Sequence, residues 1–151
     1  MFWAIAFAII AALGLLAWIR FAPVDVATWH VPVPTDAQIL EGACADGVTT
    51  LTSVGGGQSS CTLSDPPQSV LARLDAVAMA TPRTIRLAGT PDEGRITWET
   101  RSRWMGFPDY TTAQVTDTSG MTRLDIIARQ RFGSADMGVN AARLTDWLSR
   151  F

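Results

Sequence analysis

The chain has 151 residues and a formal net charge of −2, so it lacks the basic surface that a nucleic-acid partner needs. One apolar N-terminal segment aside, about 130 residues remain, enough for a single domain with its own core. Every base is an arginine. Six acids and one base lie between Phe21 and Ala80, against eight acids and ten bases between Thr81 and Phe151, so the halves attract each other within one fold or present faces of opposite sign.

The segment MFWAIAFAIIAALGLLAWI, Met1 to Ile19, has no charged side chain. As a helix it spans roughly 28 Å, close to the hydrocarbon thickness of a bilayer. Trp3 and Trp18 stand where indole rings favour the interface, and Arg20 can extend to the headgroups. A cleaved signal peptide is the rival reading. It needs a leading base and a small-x-small cleavage site, whereas no base precedes the run and AWIRFAP follows it. Residues 1–20 are therefore expected to be a transmembrane anchor held in lipid. Arg20 alone favours a cytoplasmic domain by the positive-inside tendency.

The cysteines favour the other side. Cys44 and Cys61 are the only two, separated by the loop-like run ADGVTTLTSVGGGQSS. An even pair in such a stretch fits a disulfide and an oxidising compartment, with two buried free thiols as the alternative. No metal is expected, since a structural zinc needs four ligands, and no cofactor is implied. The expectation is a single-pass protein of the bacterial inner membrane with a periplasmic domain.

Residues 21–34 read as an extended linker, because Pro23, Pro32 and Pro34 discourage helix. The linker contains Trp29 and His30, the one histidine, taken as a contact where it docks on the domain. The domain itself occupies residues 35–151. Gly55-Gly56-Gly57 reads as a flexible loop, without the Lys-Ser/Thr of a phosphate-binding loop. Ser64 or Asp65 is expected to cap a helix with Pro66 or Pro67 in its first turn and Val70, Leu71, Leu74, Val77 and Ala78 on one face.

Strands follow. Thr84 to Ala88 is short, and GTPDEG is a turn. Arg95 to Arg103 alternates, with Ile96, Trp98, Thr100 and Ser102 on one side. Gly106 and Pro108 interrupt the pattern. Thr111 to Thr116 resumes a strand, DTSG turns, and Met121 to Gln130 is the last long strand. A final helix from Val139 to Arg150 carries Val139, Leu144, Trp147, Leu148 and Phe151 as its stripe. The expected fold is α+β: an N-terminal transmembrane helix, then a two-layer domain with an antiparallel sheet of three to five strands and two helices on one face.

GFPDY (Gly106 to Tyr110) and RFGSADMGVNAAR (Arg131 to Arg143) resemble the bacterial domain-of-unknown-function family 1499. The family's closing run Arg-x-Gly-x-x-Asp-x-Gly-x-Asn-x-x-Arg is matched by Arg131, Gly133, Asp136, Gly138, Asn140 and Arg143. Its Phe-x-Asp is matched by Phe107 and Asp109, and the early Trp-His of its proteobacterial, membrane-anchored branch by Trp29-His30. The family's run usually begins with Arg-Ser-x-Ser, where Ile127, Ala128, Arg129 and Gln130 stand here. The resemblance implies a small envelope-associated domain and does not imply an activity.

Arg131, Asp136, Asn140 and Arg143, with Asp109, form a candidate polar or anion site, since two arginines can grip a carboxylate or phosphate at a helix N-terminus. The alternative is a structural network in which Asp136 or Asn140 caps the helix and the arginines pair with Asp109 and Asp136. Trp104, Phe107 and Tyr110 on a Gly/Pro turn are a candidate partner surface, or equally a local packing cluster. No Gly-x-Ser-x-Gly and no supported triad is present. The expected function is a non-catalytic envelope protein, an accessory or assembly subunit of a membrane protein complex, with a binding module for an anionic small molecule or lipid headgroup as the alternative and an enzyme as the least favoured.

Overall fold

The computed structural model describes residues 2–34, 39–41, 44–46, 48–51, 55–133 and 135–151, with the backbone alone for 39–41, 50 and 51. Helix α1 (Phe2–Phe21) stops where Pro23 disfavours helical backbone at the residue before it. It is apolar all round and almost wholly exposed, with only Ile19 buried. Such a helix is long and apolar enough to cross a membrane or to act as a signal sequence.

The segment expected to be extended holds one helical turn, α2 (Val26–Trp29). Asp25 starts it: its carboxylate accepts from the Ala27 N–H (3.1 Å) and the Thr28 hydroxyl (2.7 Å). Strands β1 (Ile39–Glu41), β2 (Thr49–Leu51) and β3 (Gly56–Leu63) precede helix α3 (Pro67–Met79). Strands β4 (Thr84–Thr90), β5 (Arg95–Arg101), β6 (Pro108–Thr118) and β7 (Met121–Gln130) lead to helix α4 (Val139–Ser149).

The sheet order is β1-β3-β7-β6-β5-β4, with β2 also on the free edge of β3. Strands β3 to β7 are antiparallel throughout, while β1 lies parallel to β3 at Ser60–Thr62 and β2 antiparallel to it at Gly56–Gln58. This is an α+β fold with both domain helices on one face.

Two expectations need correction. Gly56 and Gly57 open strand β3. The small residues let α4 cross directly above, since a Cβ on Gly57 would stand 2.7 Å from the Ala141 Cα. Neither Ser64 nor Asp65 caps α3. Pro66 holds that position, because the Asp65 carbonyl accepts from the Thr122 hydroxyl (2.6 Å) and its carboxylate turns to Arg73 (3.0 Å).

The helix-side core joins Val70, Leu71, Leu74 and Ala78 of α3 and Leu144, Trp147 and Leu148 of α4 to Ile96, Trp98, Ala113, Leu124, Ile126 and Ala128 of the sheet. Trp98 meets Trp147 edge to face, with centroids 5.6 Å apart. Its indole N–H donates to buried Asp75 (2.9 Å), which also pairs with Arg86, so the charge beneath the helix is matched. Cys44 and Cys61 are bonded to each other and belong to this core.

Candidate functional site

Alternation along the strands sends Thr97, Glu99, Tyr110, Thr112 and Arg129 to the face away from the helices. Polar residues there would normally meet water, yet all but Arg129, which is half-buried, are buried. They are covered because residues 20–33 cross this face as a strap. Trp29 stacks on Tyr110 with centroids 4.1 Å apart, and its carbonyl accepts from the Thr112 hydroxyl (3.1 Å) and the Arg129 guanidinium (2.9 Å). Arg129 also lies over the Trp29 ring, 5.3 Å from its centroid. Nearer α1, Arg131 donates to the carbonyls of Ala22 (3.4 Å) and Pro23 (2.8 Å), and Arg101 donates to that of Arg20 (2.9 Å). Trp18 of α1 meets Phe132 edge on at 5.6 Å.

His30 completes the strap, its Nδ1 lying 2.9 Å from the Thr97 hydroxyl. Burial lowers its pKa below 6.5, and the nearby Arg95 lowers it further. A depressed histidine stabilises the fold above its unfolded value, and that contribution is lost as pH falls through the folded value. The strap should therefore loosen below about pH 6.5. Wild type should lose more unfolding midpoint between pH 7.5 and 5 than His30→Asn, which keeps a polar group beside Thr97. Equal losses would sink this prediction.

The expected polar cluster forms only in part. Asp136 accepts from the Gly138 N–H (3.1 Å) and the Asn140 N–H (2.9 Å), serving the first turn of α4 from two residues before its cap. Burial opposes ionisation there, but these backbone bonds outweigh it and hold the Asp136 pKa below the ordinary carboxylate value. Fully buried Asn140 accepts from Arg143 (2.6 Å), whose other nitrogen donates to Asp109 (3.0 Å). Burial raises the Asp109 pKa despite Arg143. Arg131 makes its hydrogen bonds on the opposite face, to Tyr110 (3.4 Å) and the strap. The cluster is a helix cap and an internal Asp109–Arg143 ion pair, and the two-arginine anion grip is not assembled.

The aromatic trio also separates. Tyr110 is buried under Trp29 and presents no outer surface. Phe107 is half-buried, and Trp104 is 84% exposed with Arg103 over its ring. Phe107 instead lines a groove of about 490 Å³ at the end of α1 with Ile19, Phe132, Met137 and Val139, and with Asp109 and Asp136. Val139, expected in the core stripe, is half exposed there, because left-handed Met137 and Gly138 set the entry to α4. Among the described residues no group of three His, Cys, Asp or Glu side chains is arranged for a metal. Arg129, Thr97 and Thr112 carry no site motif of their own in the sequence. Their one signal was an outward-facing polar row with a Trp-His pair earlier in the chain.

A family model described as a protein of unknown function, DUF1499, matches residues 50–151. No curated protein matches the chain. Two solved structures are similar over part of their fold. DR_A0006 from Deinococcus radiodurans is 12% identical, with 62% of this chain and 92% of that one covered and a TM-score of 0.40. Ms6760 from Mycobacterium smegmatis is 11% identical, with 68% and 84% covered and a TM-score of 0.31.

Proposed function

The chain belongs to the DUF1499 family of proteins of unknown function, and on that premise we propose that it acts without catalysis, as an accessory or assembly subunit of a membrane protein complex. In this reading α1 is a retained single-pass anchor in the bacterial inner membrane and the domain is periplasmic. The observation that carries it is the strap. Hydrogen bonds from Arg101 to the last turn of α1, and from Arg131, Thr112 and Arg129 to the backbone that follows it, hold the sheet against the end of that helix. A signal sequence removed here would take the Trp18–Phe132 contact and buried Ile19 with it.

Rigid coupling suits a domain that meets its partner at a fixed height above the bilayer. The groove beside α1 has apolar walls that fit an apolar partner segment. The bonded cysteines favour an oxidising compartment. The non-catalytic part is supported by the placement of the reactive groups: both cysteines are bonded and the one histidine is held in the strap.

A photocrosslinker at Val139, in native membranes, tests the proposal. It should give one discrete protein adduct, while the same probe at Ser119, in the turn at the far end of β6 and β7, gives none. Trp29→Ala should weaken the adduct several-fold with the protein still in the membrane. Adducts of equal strength from both positions, or none from Val139, would overturn the subunit role.

A further inference from the structure

On the other side of the β5–β6 turn from the groove lies a second cleft of about 330 Å³, lined by Arg20, Arg83, Arg101 and Arg103 with Ile85, Glu99, Ser102 and Gly106. We propose that this cleft binds the phosphate of an anionic phospholipid headgroup. The proposal rests on α1 being a retained anchor.

Charge comes first. Four guanidinium groups face one carboxylate, and that carboxylate is already used: Glu99 is buried and pairs with Arg101 at 2.6 Å. Arg101 gives its Nη1 donors to the Arg20 and Gly106 carbonyls. Arg83 gives its Nε to the Arg101 carbonyl (3.0 Å) and keeps its terminal nitrogens outside that bond. Among the described residues the guanidinium groups of Arg20 and Arg103 have no hydrogen-bond or ion-pair partner; Arg103 only lies over Trp104, 4.9 Å from the ring centroid. The cleft therefore holds excess positive charge with free, directional donors, the chemistry that grips a phosphate.

Height comes second. Arg20 is the penultimate residue of α1, so a spanning α1 puts its guanidinium at the level of the headgroups. The β5–β6 turn is held to that level. Gly106 has φ +70, and a Cβ there would run into the Arg20 guanidinium. The same turn carries Trp104, 84% exposed, and Met105, 46% exposed, and an exposed indole beside arginines suits the boundary between headgroups and acyl chains. An aqueous anion site would have no use for that apolar tip. An acidic protein segment would not be confined to the height of Arg20.

The test uses the full chain in nanodiscs of phosphatidylcholine with a minority of phosphatidylglycerol, and native mass spectrometry to count the lipids that stay bound. Wild type should retain phosphatidylglycerol roughly tenfold above its bulk share, and Arg83→Gln/Arg103→Gln should fall back to that share. Arg73→Gln/Arg150→Gln, which removes the same charge elsewhere, should behave as wild type. An inserted wild type with no enrichment would overturn the lipid site and leave the anchor standing. Failure to enter the nanodisc at all would instead remove the anchor. Loss of the lipid to millimolar inorganic phosphate, or an equal fall in the control, would also overturn the proposal.

Discussion

Trp98→Ala should lower the unfolding free energy by about 3–5 kcal/mol, a large share of the roughly 5–15 kcal/mol that stabilises an ordinary domain. Trp98 is fully buried between the two helices and touches Trp147 edge to face. Truncation opens a cavity the size of an indole where α3, α4 and the sheet meet. It also withdraws a hydrogen bond from Asp75, leaving that buried carboxylate to Arg86 alone. Trp98→Phe separates the two effects. It keeps most of the volume and should cost about 1–3 kcal/mol, the range for an unmade buried hydrogen bond. Urea unfolding followed by circular dichroism gives both values. A Phe variant as damaging as the Ala variant would place the cost in the Asp75 bond and not in the packing.

Removing the disulfide should cost about 3 kcal/mol in the chain-entropy description. The bond closes a loop between positions 17 apart and ties the turn at Cys44 to the middle of β3. A hydrogen bond from the Ser59 hydroxyl to the Cys44 carbonyl (2.7 Å) remains when the bond is cut, so β1 and β2 should loosen before the rest of the sheet. Reductant should lower the wild-type urea midpoint and leave Cys44→Ala/Cys61→Ala unmoved. The idea fails if fully titratable thiols appear with no change in the wild-type midpoint.

Much of this architecture was legible because each element carried its own period. The apolar run gave α1, helical spacing gave α3 and α4, and alternation gave β5 and β7. Strand β3 was not legible. GGQSS has neither the branched side chains nor the apolar alternation of a strand. It is a strand because β7 pairs along its whole length and α4 needs a flat surface at Gly57, and both partners lie far along the chain.

The candidate site divides the same way. Asp136, Asn140 and Arg143 sit on one entry turn, so their convergence follows from spacing, and only the register of β6 brings Asp109 to them. Arg131 is near them in sequence alone. Counting one residue past Gln130 puts it on the face of Arg129, where the strap takes its donors. That β5 is buried on both sides, against the half-buried strand its alternation suggested, is also due to the strap.

The strap has a consequence for biosynthesis. Trp29 is translated 100 residues before Arg129 and 83 before Thr112, the side chains that hold its carbonyl. At about 5–20 residues per second, roughly 5–20 s pass between making the strap and making its seat. Throughout that interval the N-terminal helix has no finished sheet to dock on. Docking follows only when the last strand has left the ribosome. For α1 as the retained anchor proposed above, the order of translation lets that segment enter the membrane first, and the completed sheet then fixes the angle at which the domain stands on it.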